Sequence, residues 1–186
     1  HFGFSVAISG DTVVVGAIRD DDNGPESGSA YVFVRVGATW TQQAKITPAD
    51  GAGGDLFGDG LSIDGDTAII GATFDDDAGA DSGAIYVFVR HGIVWSEEAK
   101  ITASDAVGGE QFGAAVEIRG DTVAVGSPYD TENGAYSGAG YVFTRSGTVW
   151  THQVKLTAAD GTIGDQLGCS AALSGNTAMF GALGDD

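Results

Sequence analysis

Three short acidic alternations are the most evident chemistry in this chain. Asp20-x-Asp22, Asp75-x-Asp77 with Asp81 close by, and Asp130-x-Glu132 each set carboxylates two residues apart, and a glycine follows at Gly24, Gly79 and Gly134. Oxygen ligands gathered on one loop suit Ca2+, which takes about six to eight of them and tolerates irregular geometry. These seven acidic residues are therefore candidate metal ligands, with Ca2+ as the candidate cofactor. None of the three segments completes the loop of an EF-hand. The competing reading is that Asp, Asn and Gly simply build solvated turns, as Asn23-Gly24 and Asn133-Gly134 suggest. On the residues alone both readings stand.

Catalytic chemistry is harder to find. A single active site in a repeated architecture needs residues that break the repeat, and those are His1, His91, His152, Arg19, Arg119, Glu117, Tyr129 and Tyr136. His91 falls beside a turn and His152 on an outer strand, so their spacing makes no metal pair or triad. No Gly-x-Ser-x-Gly, His-Glu-x-x-His or phosphate-binding loop is present. No catalytic residue is assigned, and the chain reads as non-enzymatic. Cys169, the single cysteine, rules out a disulfide within the chain and reads as an incidental small residue. A net charge of −18 sets the chain against nucleic acid and anionic membranes as partners. No apolar run approaches the roughly 20 residues that span a bilayer.

The elements that must position these residues follow from a repeat of 55 residues without insertion or deletion. Phe2-Gly3 returns as Phe57-Gly58, Phe112-Gly113 and Leu167-Gly168; Tyr31, Tyr86 and Tyr141 keep the same spacing, as do Trp40, Trp95 and Trp150. Copies span 2–56, 57–111 and 112–166, with a partial copy over 167–186. Each is a supersecondary unit that buries its apolar surface only against its neighbours. Within the first copy, FSVAIS turns through Ser9-Gly10-Asp11 into TVVVGA; an acidic loop leads to AYVFVR, and a turn at Gly37-Ala38 leads to the more polar TWTQQAKIT. The spacing predicts a four-stranded antiparallel meander. Its middle strands are apolar on both faces, so Val13 to Val15 and Tyr31 to Val34 should lie between neighbouring sheets. Radial stacking in a β-propeller supplies that environment, and the fold expected is an all-β propeller of four-stranded blades, incomplete at about three and a half blades.

The bracketing of a strand pair by Phe-Gly and Gly-Ala (FGFSVAISGDTVVVGA, FGDGLSIDGDTAIIGA, and FGAAVEIRGDTVAVGS with Ser in place of Ala) resembles the FG-GAP repeat of integrin α-chain propellers, especially its compact bacterial-type form. The resemblance implies a propeller, commonly with about seven blades, on secreted or cell-surface proteins that adhere or bind ligands. It implies an extracellular or cell-surface location, although no signal peptide is visible. Integrin-type repeats carry a calcium loop between Phe-Gly and Gly-Ala. This chain has only the turns SGDT, DGDT, RGDT and SGNT there, so that site has no counterpart.

A meander alternates direction, so the loops between second and third strands and the connections between copies open on one side. The first kind of loop holds Asp20, Asp21, Asp22, Glu26, Asp75, Asp76, Asp77, Asp81, Asp130, Glu132, Asp185 and Asp186. The second adds Asp50, Asp55, Asp105, Glu110, Asp160 and Asp165, with Arg19 alone opposing them. One face of the disc is thus expected to be strongly acidic, and in the family resembled this is the usual ligand face. On the other side a two-residue turn places Arg35 across from Trp40, where a guanidinium stacks on an indole; Arg90 with Trp95 and Arg145 with Trp150 repeat the pair. Lys45, Lys100 and Lys155 read as solvated charges that guard an edge strand.

The leading functional expectation is an adhesion or binding module that takes a protein or carbohydrate ligand on the acidic face, with or without Ca2+. The alternatives are a structural repeat of an extracellular fibre or coat, and a non-catalytic part of a carbohydrate-active enzyme. The first and last sheets would each show an apolar face, so further blades of the same chain, or a neighbouring subunit, are expected to cover them.

Overall fold

A computed structural model of the chain describes residues 1–185 and consists of strands and turns. Fourteen strands follow in order: β1 Phe2–Ser9, β2 Thr12–Ala17, β3 Ser29–Val36, β4 Thr39–Ile46, β5 Leu61–Asp64, β6 Thr67–Ala72, β7 Ala84–His91, β8 Val94–Ile101, β9 Ala115–Arg119, β10 Thr122–Ser127, β11 Ala139–Ser146, β12 Val149–Leu156, β13 Leu167–Ser174 and β14 Thr177–Ala182. They form three four-stranded antiparallel meanders and a terminal pair, β13 with β14. The first strands of successive sheets lie side by side, so β1, β5, β9 and β13 form the hub of an incomplete β-propeller.

Alternation along the middle strands divides each sheet between two cores. In blade 2, Ile70, Tyr86 and Phe88 join Val14, Val32 and Ile46 of blade 1. Their neighbours Ile69, Ile85 and Val87 turn the other way and join Phe112, Val123, Tyr141 and Phe143 of blade 3. Each fully buried side chain of this size is worth roughly 1.5–3 kcal/mol of transfer free energy, so blade-to-blade packing dominates the stability. Blade 1 departs from the expected burial. Val14 and Val32 are buried, but Val13, Val15, Tyr31 and Phe33 are only half-buried, because no sheet stands against their side of blade 1; Val34, on the Val32 face, is half-buried near the hairpin end of β3.

The Phe-Gly and Gly-Ala signature proves to be the cement between blades. Phe57 is fully buried, edge-on to Tyr86 and Phe88 of its own blade. Gly113 then lies against Gly71 of the preceding blade so closely that a Cβ on Gly71 would overlap the Gly113 carbonyl oxygen. Only glycine allows two backbones this approach.

The outer hairpins carry a feature that simple pairing would miss. Near the turn the register runs Val36 to Thr39, Arg35 to Trp40 and Phe33 to Gln42; it then slips, so that Val32 pairs with Ala44 and Tyr31 with Lys45. Gln43 is the extra residue of a β-bulge, and Glu98 and Gln153 take its place in the later copies.

Candidate functional site

Residues of the acidic loop face enter by three routes. The ends of β2, β6 and β10 lead directly into Asp20, Asp75 and Asp130, each of whose backbone N–H donates to a carbonyl three residues back in a tight turn. The bulge swings Lys45, Lys100 and Lys155 opposite Tyr31, Tyr86 and Tyr141, on the side where those turns lie. The connections from the preceding blade bring Asp50 and Asp105.

Together they build the full box in blades 2 and 3 and a reduced one, without the connection carboxylate, in blade 1. In blade 2 the Lys100 ammonium lies 2.9 Å from Asp50, 2.7 Å from Asp75 and 2.5 Å from Asp77. It sits 5.1 Å from the centre of the Tyr86 ring, whose single hydroxyl proton is shared between Asp50 (2.9 Å) and Asp75 (2.8 Å). Blade 3 repeats this with Lys155, Asp105, Asp130, Glu132 and Tyr141. In blade 1 Lys45 pairs with Asp20 at 2.9 Å and with Asp22, and Tyr31 donates to Asp20.

The candidate ligands thus fall into place around lysines. Asp20 and Asp22 meet on Lys45, Asp75 and Asp77 on Lys100, and Asp130 and Glu132 on Lys155. Asp81 is not part of its cluster: its backbone N–H donates to Asp76 Oδ1 at 2.7 Å, and its side chain is exposed. Among the described residues no three His, Cys, Asp or Glu side chains are arranged to hold a metal ion. The expectation that Arg19 alone opposes the acidic face is corrected: three lysines do so as well. Nor are Lys100 and Lys155 solvated edge charges, since they are held within carboxylate boxes and keep only 18% and 16% of their side-chain surface; Lys45, on the outermost blade, stays exposed as expected. Asp186 lies outside the described residues.

The electrostatics follow the boxes. Lys45, with the Ser29 and Tyr31 hydroxyls, holds the Asp20 carboxyl well below the usual range. Burial opposes ionisation of Asp50 and Asp105, but Lys100 and Lys155 outweigh it and keep both below that range. Burial also works against the charge on Lys100 and Lys155, and the surrounding carboxylates more than reverse it. Two further acids behave differently. Asp55 and Glu110 are buried in the connections, where they cap backbone N–H groups of Ala52 and Val107, and burial pushes both upward.

On the opposite side the expected pairs are present. Arg35, Arg90 and Arg145 stand 5.5, 5.3 and 5.2 Å from the ring centres of Trp40, Trp95 and Trp150. Each guanidinium also meets the turn aspartate of its own blade, Asp11, Asp66 or Asp121. Sequence reasoning did not reach the link to the preceding blade. Trp95 donates to Gln43, and Trp150 to Glu98, so the bulge residue of one blade accepts from the indole of the next. Lys, Tyr and the bulge residue all recur at 55-residue spacing, which was the available signal.

Comparison with known proteins accords with this construction. The FG-GAP repeat profile matches residues 1–33, 40–88, 95–143 and 150–186. Its central segments run from the outer strand of one blade to the third strand of the next, so the matched unit spans the contact between blades. A search of curated proteins finds no match.

Proposed function

Because this chain belongs to the FG-GAP repeat family, we propose that it is a non-enzymatic binding propeller that presents its loop face to a cationic partner outside the cell. The observation that carries this reading is how charge is used on the two sides. At the hairpin side Asp11, Asp66 and Asp121 are each paired with an arginine of their own blade. On the loop face the three lysines neutralise only the carboxylates within their boxes. Asp21, Asp76, Asp81, Asp160 and Asp185 lie outside them, with no ion pair among the described residues. An unbalanced acidic surface on rigid blades attracts and orients a positively charged protein surface.

Ca2+ is the second reading, favoured by the Asp75-x-Asp77 alternation. A divalent ion would have to displace Lys100 from carboxylates it already satisfies, so the box geometry supports the lysine as the resident cation. One experiment separates the readings. Binding to immobilised polylysine should weaken as salt rises and fall several-fold when Asp21, Asp76 and Asp160 are changed to Asn. An equal loss on changing Asp11, Asp66 and Asp121 of the hairpin side to Asn, which alters net charge by the same amount, would point to overall charge rather than to a face. A melting temperature raised by millimolar Ca2+, beyond the effect of Mg2+ at matched ionic strength, would favour the metal instead.

A further inference from the structure

The repeat exposes one place where the loop face changes its chemistry from blade to blade. Residues 19, 74 and 129 occupy equivalent positions just before the box aspartates, and residues 26, 81 and 136 equivalent positions later in the same loop. The later residue adopts the left-handed conformation every time, with φ of 56° at Glu26, 54° at Asp81 and 60° at Tyr136. The backbone therefore presents these side chains in one fixed way. What it presents differs. Blade 1 closes the loop with an Arg19–Glu26 ion pair at 3.5 Å, and blade 2 carries Phe74 and Asp81. Blade 3 carries Tyr129 and Tyr136, their ring centres 5.3 Å apart and nearly perpendicular.

In blade 3 Tyr136 faces outward and Tyr129 is half-buried behind it. Tyr136 is 52% exposed and Ile163, on the adjoining connection, 75%. Gln166 donates its N–H to the Tyr136 carbonyl, and Asn133 its side-chain amide to the Ala158 carbonyl, so the two segments form one surface. That surface carries Asp160, which has no ion pair among the described residues. An L-residue other than Gly, Asn or Asp at φ near +60° costs free energy, and an aromatic there that leaves half its surface in water, touching Tyr129 at the loop surface, returns little of it by burial.

Resting on the binding-module reading above, we propose that Tyr129 and Tyr136 are the recognition position of the loop face and take a lysine or arginine side chain from an extended basic peptide. The chain itself shows the chemistry. Three times it holds an ammonium 5.1–5.3 Å from a tyrosine ring beside carboxylates, at Lys45 over Tyr31, Lys100 over Tyr86 and Lys155 over Tyr141. Blade 3 offers a second tyrosine surface on an acidic face with no internal cation assigned to it. The negative face of the ring and nearby carboxylates act on the same cation.

The test is a transplant that the fold already accommodates. Tyr129→Arg with Tyr136→Glu installs the blade 1 ion pair in blade 3 without changing net charge. Binding of an acetylated, amidated (Gly-Arg)3 peptide is followed by titration calorimetry and by 15N chemical-shift mapping, with a linear glucan hexamer as the second probe. The transplant should weaken the peptide about five- to tenfold and remove shifts from loop 128–137. Tyr129→Phe, which keeps the ring, should bind nearly as well as the parent. Salt-sensitive peptide binding on the loop face that ignores the transplant would overturn this assignment and leave the broader reading standing. Peptide binding absent altogether would overturn both. Shifts at Tyr129 and Tyr136 from the glucan alone would replace the peptide with a carbohydrate.

Discussion

Tyr31 and Tyr86 hold the same place in successive blades and donate to the same kind of aspartate, yet they live in different surroundings. Tyr86 is fully buried and shares its hydroxyl between Asp50 and Asp75; Tyr31 is half-buried and donates to Asp20 alone. Asp75 keeps 3% of its side-chain surface where Asp20 keeps 32%. Phe57 is sealed between blades where Phe2 is 62% exposed. Trp95 donates to Gln43 of the preceding blade, and Trp40, with no blade before it in the structure, is 41% exposed. Identical residues thus have different energetic weight according to whether a neighbouring sheet excludes water from them.

Removing the apolar plug should separate the two faces most. Phe57→Ala is expected to cost about 3–5 kcal/mol by chemical denaturation, from lost transfer energy and a cavity the blades cannot close. Phe2→Ala should cost less than about 1 kcal/mol, since its ring is already wet. Equal losses at the two positions would mean that the first face is covered in solution.

The lysine boxes come next. Lys100→Met strands Asp75 in a buried site and should cost about 3–5 kcal/mol, as breaking a buried pair does. Lys45→Met leaves Asp20 within reach of water, and about 1 kcal/mol or less is expected. A double variant, Lys100→Met with Asp75→Asn, should recover much of the loss, and failure to do so would show that packing rather than charge is at stake.

Hydroxyl removal is a finer probe. Tyr86→Phe should cost about 1–3 kcal/mol, because two carboxylates lose a donor in a dry site; Tyr31→Phe should be nearly neutral. Thermal denaturation of both variants in one buffer is sufficient.

The smallest effect is that of pH, where two sets of acids oppose each other. Asp20, Asp50 and Asp105 titrate below their ordinary value of 3.8 in the folded chain, so the stability they supply is present above that value and lost as pH falls through their lower folded values. Asp55 and Glu110 are raised by burial, so the folded state takes up their protons first and gains stability as pH falls through their folded values. The melting temperature is expected to hold or rise slightly from pH 7 to about 5 and to fall below about 4. A melting temperature that falls between pH 7 and about 5 would contradict this assignment, since acids lowered below 3.8 lose nothing in that range and raised acids can only gain.

Much of this was legible in the residues. The 55-residue spacing, the Gly-Asp turns and the two-sided apolar strands predicted the blades, and the short turn at Gly37-Ala38 predicted the Arg35–Trp40 pair that the structure contains. The acidic face was legible as a count of carboxylates, and its lysines were not. Counting back from the Arg35–Trp40 pair sets Tyr31 opposite Ala44. Only the bulge at Gln43 brings Lys45 across from Tyr31 and onto the side of Asp20.

The sequence by itself determined the period, the strand order and which faces are apolar, because these depend on side-chain alternation and turn chemistry within a few residues of each other. Tertiary structure decided where the charges meet. A bulge residue of one blade is held by an indole of the next, and Asp50 reaches Lys100 from the preceding connection, 50 residues away. Such contacts form only when blades pack, since the close approach of the Gly16 and Gly58 backbones along this same seam excludes the water that would otherwise weaken an ion pair or an indole N–H there.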